Sequence, residues 1–346
     1  MQRQFVKVVV LAAGKGTRMK SDRAKVMHEV FFAPMLHHVL TALAPLGLLG
    51  QTVVVTGHQA EAVEASLADF PVAFARQGEQ LGTAHAVSAA RSHYENFQGT
   101  VVILCGDTPL LRSETLRWML DEHRGSGASL TVMTTSMADP TNYGRIISGP
   151  DGGILGIVEE RDATAEQKAI SEINAGVYCV DAQFLCDGLP AIDDNNRQGE
   201  FYLTDLVAIA RAGGRAVGRF LATDSLEVLG VNSRLELAAA HRELQLRRNF
   251  QMMAGGVSIM DPSSVEISPG VVIGRDTVIE RSVKISGNSL LGVGCRIGPE
   301  VVLQNCRLGD SVSLGPFSFL ADCEIPAGQS VPAGTVRHGG QSSVQS

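Results

Sequence analysis

Apolar and polar positions along the first two-thirds of the chain follow two alternating patterns. Val6–Ala13, Gln51–Thr56, Thr100–Leu104 and Ser129–Thr134 are short, β-branched-rich runs bounded by Gly, Asp or Pro, as buried strands are. Between them, Ala33–Leu46, His58–Ala68, Thr83–His93 and Ser113–Glu122 have helical composition. The alternation predicts βαβ units in an α/β fold with a doubly wound, mostly parallel sheet, whose ligands sit at the carboxyl ends of the strands. A longer helix is predicted from Asn232 to about Ala254, closing on Gly255-Gly256.

Beyond that helix the period changes to six. Ile267, Ile273, Ile279, Ile285, Leu291, Ile297 and Leu303 are evenly spaced, and after a slip of one residue the series resumes at Leu308, Leu314 and Leu320. Neither a helix nor an alternating strand has this period. It predicts a short parallel β-helix of hexapeptide repeats, each strand sending one aliphatic inward onto the coil below. The expected divisions are therefore 1–230 for the α/β domain, 231–254 for the connecting helix, 255–336 for the β-helix and 337–346 for an unstructured polar tail.

Composition narrows the function classes. The chain has 346 residues, 45% of them hydrophobic and 19% charged, with a net charge of −7. That charge disfavours nucleic acid and anionic membranes as partners. The apolar runs are far too short to span a bilayer, and Met1–Gln4 runs straight into a strand, which predicts no secretory leader. Six cysteines lie scattered without metal-ligand spacing, which fits a reducing cytoplasm and excludes a structural zinc site.

The candidate chemistry sits in the loops. Leu11-Ala12-Ala13-Gly14-Lys15-Gly16-Thr17-Arg18 follows the first strand, with Lys25 close behind. Its glycines allow backbone N–H groups to face an anion, and Arg18 and Lys25 add charge. The segment matches neither the dinucleotide fingerprint nor the Walker pattern, and it reads equally as a phosphate loop or as a plain strand–helix turn. Gln77-Gly78-Glu79-Gln80-Leu81-Gly82-Thr83 offers an amide whose donor and acceptor complement an imide base such as uracil, a glycine that admits a flat ring, and a threonine at a helix start. Taken alone it is better read as a polar loop with a Thr cap. Asp107, after Val101–Cys105 and Gly106, stands at the end of a buried strand, where it could hold Mg²⁺ or simply cap a turn. Gly144, Glu159, Asn174 and Asn232 lie in further short polar interruptions.

In this order the motifs resemble the uridylyltransferase domain of the bifunctional GlmU-type enzymes, which pair N-acetylglucosamine-1-phosphate uridylyltransferase with glucosamine-1-phosphate acetyltransferase. The resemblance runs from about Val6 into the β-helix. It implies that Leu11, Ala12, Ala13 and Gly14 hold the triphosphate, with Arg18 and Lys25 as catalytic cations. It implies that Gln77, Gly82 and Thr83 bind uridine, with Cys105 and Gly106 beside the nucleotide. Gly144, Glu159, Asn174 and Asn232 would hold the sugar, and Asp107 and Asn232 would bind Mg²⁺. The β-helix would be left-handed and associate as a homotrimer. The implied reaction joins UTP to N-acetylglucosamine 1-phosphate and releases pyrophosphate.

Some positions depart from the family. Cys105 replaces an aromatic residue, Phe32-Ala33 a Gly-Lys pair, Ala24 a proline and Ala175 a threonine; none removes a phosphate or metal ligand. The hexads stop near Val331–Gly334, and the one histidine after His241 is His338. No rigidly held base is then at hand for a sugar amine, so acetyltransferase activity is expected to be absent. Two other functions remain compatible with these residues: nucleotidyl transfer to a different sugar 1-phosphate, and a non-catalytic trimeric scaffold that binds nucleotide sugars.

Overall fold

Val6–Leu11, aliphatic except for Lys7, forms β1 at the heart of a nine-stranded sheet. A run of this kind suits a strand covered on both faces, and Val8, Val9 and Val10 are fully enclosed. The computed structural model describes residues 5–339 and the backbone of 341–343. The expected leaderless start (1–4) and the last residues of the expected tail (344–346) lie outside the described residues. The chain divides into two units, Met1–Leu237 and Ala238–Ser346, so the boundary falls inside the long helix rather than ahead of it.

In the first unit the other strands are β2 (Thr52–Thr56), β3 (Ala73–Arg76), β4 (Thr100–Cys105), β5 (Leu130–Ser136), β6 (Arg145–Ser148), β7 (Ile154–Val158), β8 (Glu172–Asp181) and β9 (Val217–Leu221). The main path runs β9-β5-β8-β4-β1-β2-β3, with β6 and β7 as a hairpin beside β8. All pairs along the path are parallel except those of β8, which is antiparallel to both β4 and β5. Separate apolar clusters cover the two faces, Val9 and Ile103 packing into one and Val8 and Val10 into the other. The predicted helix at Ala33–Leu46 is shorter than expected. Ala33–Pro34 pairs with Glu29–Val30 in a small hairpin, and the α-helix proper is Met35–Leu43.

Strand order places the site. The chain leaves β1 toward β2 on one side, whereas β4 pairs on the other, so the connections diverge where Leu11 is flanked by Val55 and Cys105. A crevice opens at such a switch point, beyond the strands' carboxyl ends.

In the second unit the six-residue rhythm becomes a left-handed β-helix. Ile259, Ile279, Ile297, Leu314 and Val331 stack in one parallel ladder. Ile267, Ile285, Leu303 and Leu320 form a second, and Ile273, Leu291, Leu308 and Ile325 a third. The slip before Leu308 is a corner one residue shorter than that of the coil below, turned by Asn305 at φ 51°. Gln245 and Asn249, buried on the helix Arg234–Ala254, donate side-chain amide bonds to the carbonyls of Ser263, Pro262 and Val265. Those carbonyls belong to the first coil, which the helix thereby caps.

Strand pairing reaches into the segment expected to be an unstructured tail. Val336–His338 extends the second ladder onto Phe319–Ala321, and Gln341–Ser343 pairs antiparallel with it. The open ladder edge offers main-chain partners that even a polar segment can use.

Candidate active site

Three adjoining cavities open at the carboxyl end of the first unit's sheet, and most of the predicted residues line them. The first, about 340 Å³, is walled by Leu11, Ala12, Ala13, Gly14, Gln77, Gly82, Thr83 and Cys105. The second, about 320 Å³, takes Gly144, Glu159 and Asn174 together with Tyr178 and Thr204. The third, about 480 Å³, is lined by the loop Lys15–Arg18 and by Gln80. Asp107 faces the first two, Asn232 and Arg18 the second and third, and Lys25 the first and third.

Lys25 is the hinge of this arrangement. Its Nζ forms an ion pair with Asp107 Oδ2 and donates to Asn232 Oδ1 at 3.0 Å. Both residues are tied to neighbouring chain. The Asp107 carbonyl accepts the Val231 N–H at 2.9 Å. Asn232 Nδ2 donates to Gly230 O, and its backbone N–H donates to Glu236 Oε2 at 2.7 Å. A carboxylate and an amide carbonyl converging on one cation are ligands that a small hard metal ion would also accept, with phosphate and water completing its shell. Among the described residues no group of three or more His, Cys, Asp or Glu side chains could hold a metal.

The nucleotide-side loop is more tightly built than its sequence suggests. Gln77 is buried, and its Nε2 meets both the Gly82 carbonyl at 3.2 Å and His85 Nδ1 at 3.0 Å. The amide donor is therefore engaged within the protein, and Oε1 is the atom left to face a ligand. Gly82 adopts φ 117°, and a Cβ there would stand 2.5 Å from the Phe201 carbonyl. Glycine is thus required at this close approach. Thr83 does not cap its helix; its hydroxyl accepts the Leu203 N–H at 3.0 Å. Gly106 lines none of the three cavities. Its N–H donates to Leu11 O at 2.9 Å, tying together the ends of β1 and β4.

Walls of the second cavity come from a hairpin and a bulge. Arg145 pairs with Val158 in register, so Gly144 and Glu159 flank the same end of the β6–β7 hairpin. The β8–β5 register shifts between Asn174 and Tyr178, with Gly176 at φ 72°. Such a bulge re-aims side chains, and Asn174 Nδ2 donates to the Tyr178 hydroxyl at 2.6 Å. Burial raises the pKa of Glu159, while a hydrogen bond from Thr204 Oγ1 at 3.3 Å opposes the shift. Burial also pushes the Cys105 thiol up to about 12, so the sulfur faces the cavities as a neutral, weakly polar group.

Sequence reasoning missed Tyr178, Thr204, Gln80 and Lys15. Lys15 could have been found inside the glycine loop. Tyr178 and Thr204 carry no local signal, because a bulge and a distant connection bring them in.

Comparison with known proteins gives the following likenesses. A family model described as a MobA-like NTP transferase domain matches residues 8–150. The bifunctional protein GlmU of Desulfotalea psychrophila is 46% identical over 326 residues, covering 94% of this chain and 96% of that protein. The bifunctional protein GlmU of Syntrophotalea carbinolica is 44% identical over 325 residues, covering 94% of this chain and 70% of that protein. A solved structure from Bacillus anthracis, assigned as a glucose-1-phosphate thymidylyltransferase in complex with sucrose, covers 68% of this chain and 94% of its own. Its TM-score is 0.55 at 20% identity, a likeness of fold alone.

Proposed function

The chain belongs to the GlmU family, and from that membership we propose that it transfers uridylyl from UTP to N-acetylglucosamine 1-phosphate, releasing pyrophosphate. It is a nucleotidyltransferase; the choice of base, sugar and metal is our reading. Base and sugar follow from the relatives, and one observation supports the phosphate and metal chemistry: Lys25, Asp107 and Asn232 meet where the three cavities adjoin.

The chemistry asks little of a general base. The attacking group is a phosphate monoester whose second pKa is about 6, so it is already largely dianionic at neutral pH. The enzyme's task is to align two polyanions and neutralise charge on the α-phosphate and the leaving pyrophosphate. Arg18, Lys15 and Lys25 ring the third cavity as cations for the phosphate chain. In the first cavity, the Ala12–Gly14 backbone and Gln77 Oε1 would receive the nucleoside. In the second, Glu159, Asn174 and Thr204 would accept or donate hydrogen bonds to sugar hydroxyls and the acetamide. Asp107 and Asn232 would hold Mg²⁺, which supplies Lewis-acid neutralisation of phosphate oxygens.

Pyrophosphate release, measured with Mg²⁺ while crossing four nucleoside triphosphates with several sugar 1-phosphates, tests the assignment. UTP with N-acetylglucosamine 1-phosphate is expected to be fastest; a clear preference for another pair overturns it.

For the β-helix we propose trimeric association without acetyl transfer. Val272 and Leu290 lie side by side on adjacent strands, 60% and 37% exposed, with Phe317 exposed on a corner. Val257–Val336 contains no histidine to serve as a base. Sedimentation as a monomer would refute the first statement, and acetyl-CoA consumption with glucosamine 1-phosphate the second. No described helix is long and apolar enough to cross a membrane. All six cysteines are unpaired, which supports our placing the reaction in the cytoplasm.

A further inference from the structure

The contact between Lys25 and the Asp107–Asn232 pair implies more than a shared cavity. The ammonium takes the carboxylate oxygen and the amide oxygen together, the donors a small hard cation would use. Asn232 Nδ2 is committed to Gly230 O and its backbone N–H to Glu236, so Oδ1 stays aimed at Lys25. A metal ion held between the same two oxygens would stand where the ammonium now sits, so the two cations compete for one position, and their mutual repulsion adds to the competition. Lys25 also faces the adjoining cavity, where Lys15, Arg18 and Gln80 await an anion. Its flexible four-carbon stem allows the tip to swing between the two.

We infer that in the nucleotide-free protein the Lys25 ammonium is the resident cation of Asp107 and Asn232, and that a divalent ion gains these oxygens only when a triphosphate draws Lys25 away. The inference rests on the reading of Asp107 and Asn232 as metal ligands. It makes metal entry dependent on nucleotide. Neutralisation of the phosphates by Lys25 and binding of the metal thereby become one coupled event, and by linkage the coupling runs in both directions.

The test is binding of Mn²⁺ alone to the full chain, followed by the electron paramagnetic resonance signal of free Mn²⁺ with no nucleotide present. Lys25→Met, of similar length without the charge, is expected to bind Mn²⁺ at least tenfold more tightly than wild type. Lys25→Gln takes its place if methionine compromises the fold. Arg18→Met removes a nearby charge that does not lie between the two oxygens, and its gain should stay below about threefold. Asp107→Asn in the Lys25→Met background should abolish the gain. An equal gain in Arg18→Met and Lys25→Met, or none in Lys25→Met while Asp107→Asn still weakens Mn²⁺ binding, overturns the exclusion and leaves the ligand assignment standing. If Asp107→Asn changes Mn²⁺ binding in neither background, the ligand assignment itself fails, and the inference with it.

Discussion

Gly16 and Lys25 are packed so closely that Gly16 can carry no side chain: a Cβ there would lie 2.6 Å from Lys25 Cβ and 2.9 Å from its Cγ. Gly16 also holds φ 66°, in the left-handed region that glycine enters without cost. The loop glycine therefore fixes where the lysine stem leaves the backbone, and through it where the ammonium reaches.

Gly16→Ala should accordingly act through Lys25. The alanine must push the stem aside, and a displacement of about 1 Å at a reacting group can cost about 100-fold. The expected result is a drop of about 10- to 100-fold in kcat/KM for UTP with a cooperative thermal transition retained. Wild-type kinetics would show that the position of the lysine is not critical.

Asp107→Asn keeps the shape of the side chain and removes its charge. The Asp107 carbonyl still accepts from Val231, so the loop should hold. A drop of about 10³-fold in kcat is expected, in the range seen when a preorganised electrostatic contact is lost. Pyrophosphate release across a Mg²⁺ titration gives the answer; turnover unchanged at saturating Mg²⁺ removes Asp107 from the metal.

How much of this was legible in the sequence differs by element. The β-helix was plain, because each inward position must be a buried aliphatic; the rhythm slipped where a corner is shortened, at Asn305 and again at Asp322 between Leu320 and Ile325. Leu11–Gly14, Lys25, Asp107 and Asn232 were also visible, since each follows a strand or opens a helix and so falls at the same edge of a parallel sheet. Their assembly depends on the strand order around β1, which no single motif reveals. Tyr178 was illegible for another reason. A residue in an apolar strand reads as core until a bulge, here with Gly176 at φ 72°, turns it toward a cavity. Gln77 shows the opposite limit. Its type was informative, but the capture of its Nε2 by Gly82 and His85 depends on a fold-back that composition does not encode.

That capture sharpens the expectation for Gln77→Ala. With the donor engaged, the side chain can offer a base only Oε1, an acceptor suited to an imide N–H. Losing one such hydrogen bond costs about 1 kcal/mol, so preference for UTP over CTP should fall by about tenfold or less. The readout is kcat/KM for both triphosphates, and an unaltered ratio would place the base elsewhere.

Glu159 gives the site a pH dependence whose sign can be worked out. Burial holds its folded pKa above the ordinary carboxylate value, and Asp205, Asp162 and Glu200 push in the same direction. A carboxyl raised by folding contributes stability that is fully present below its unfolded pKa and lost as pH rises through the folded value. Glu159→Gln cannot ionise and escapes that loss. Its melting temperature relative to wild type should therefore be higher at pH 8 than at pH 4. Binding runs the other way. Sugar hydroxyls donating to the carboxylate favour its charged form, so wild-type affinity for the sugar 1-phosphate should strengthen as pH rises through the Glu159 pKa. The phosphate's own ionisation, near pH 6, contributes to both proteins alike. Only the difference between the wild-type and Glu159→Gln profiles isolates the carboxyl. Superimposable profiles of KM against pH would mean that Glu159 lies beside the sugar without accepting from it.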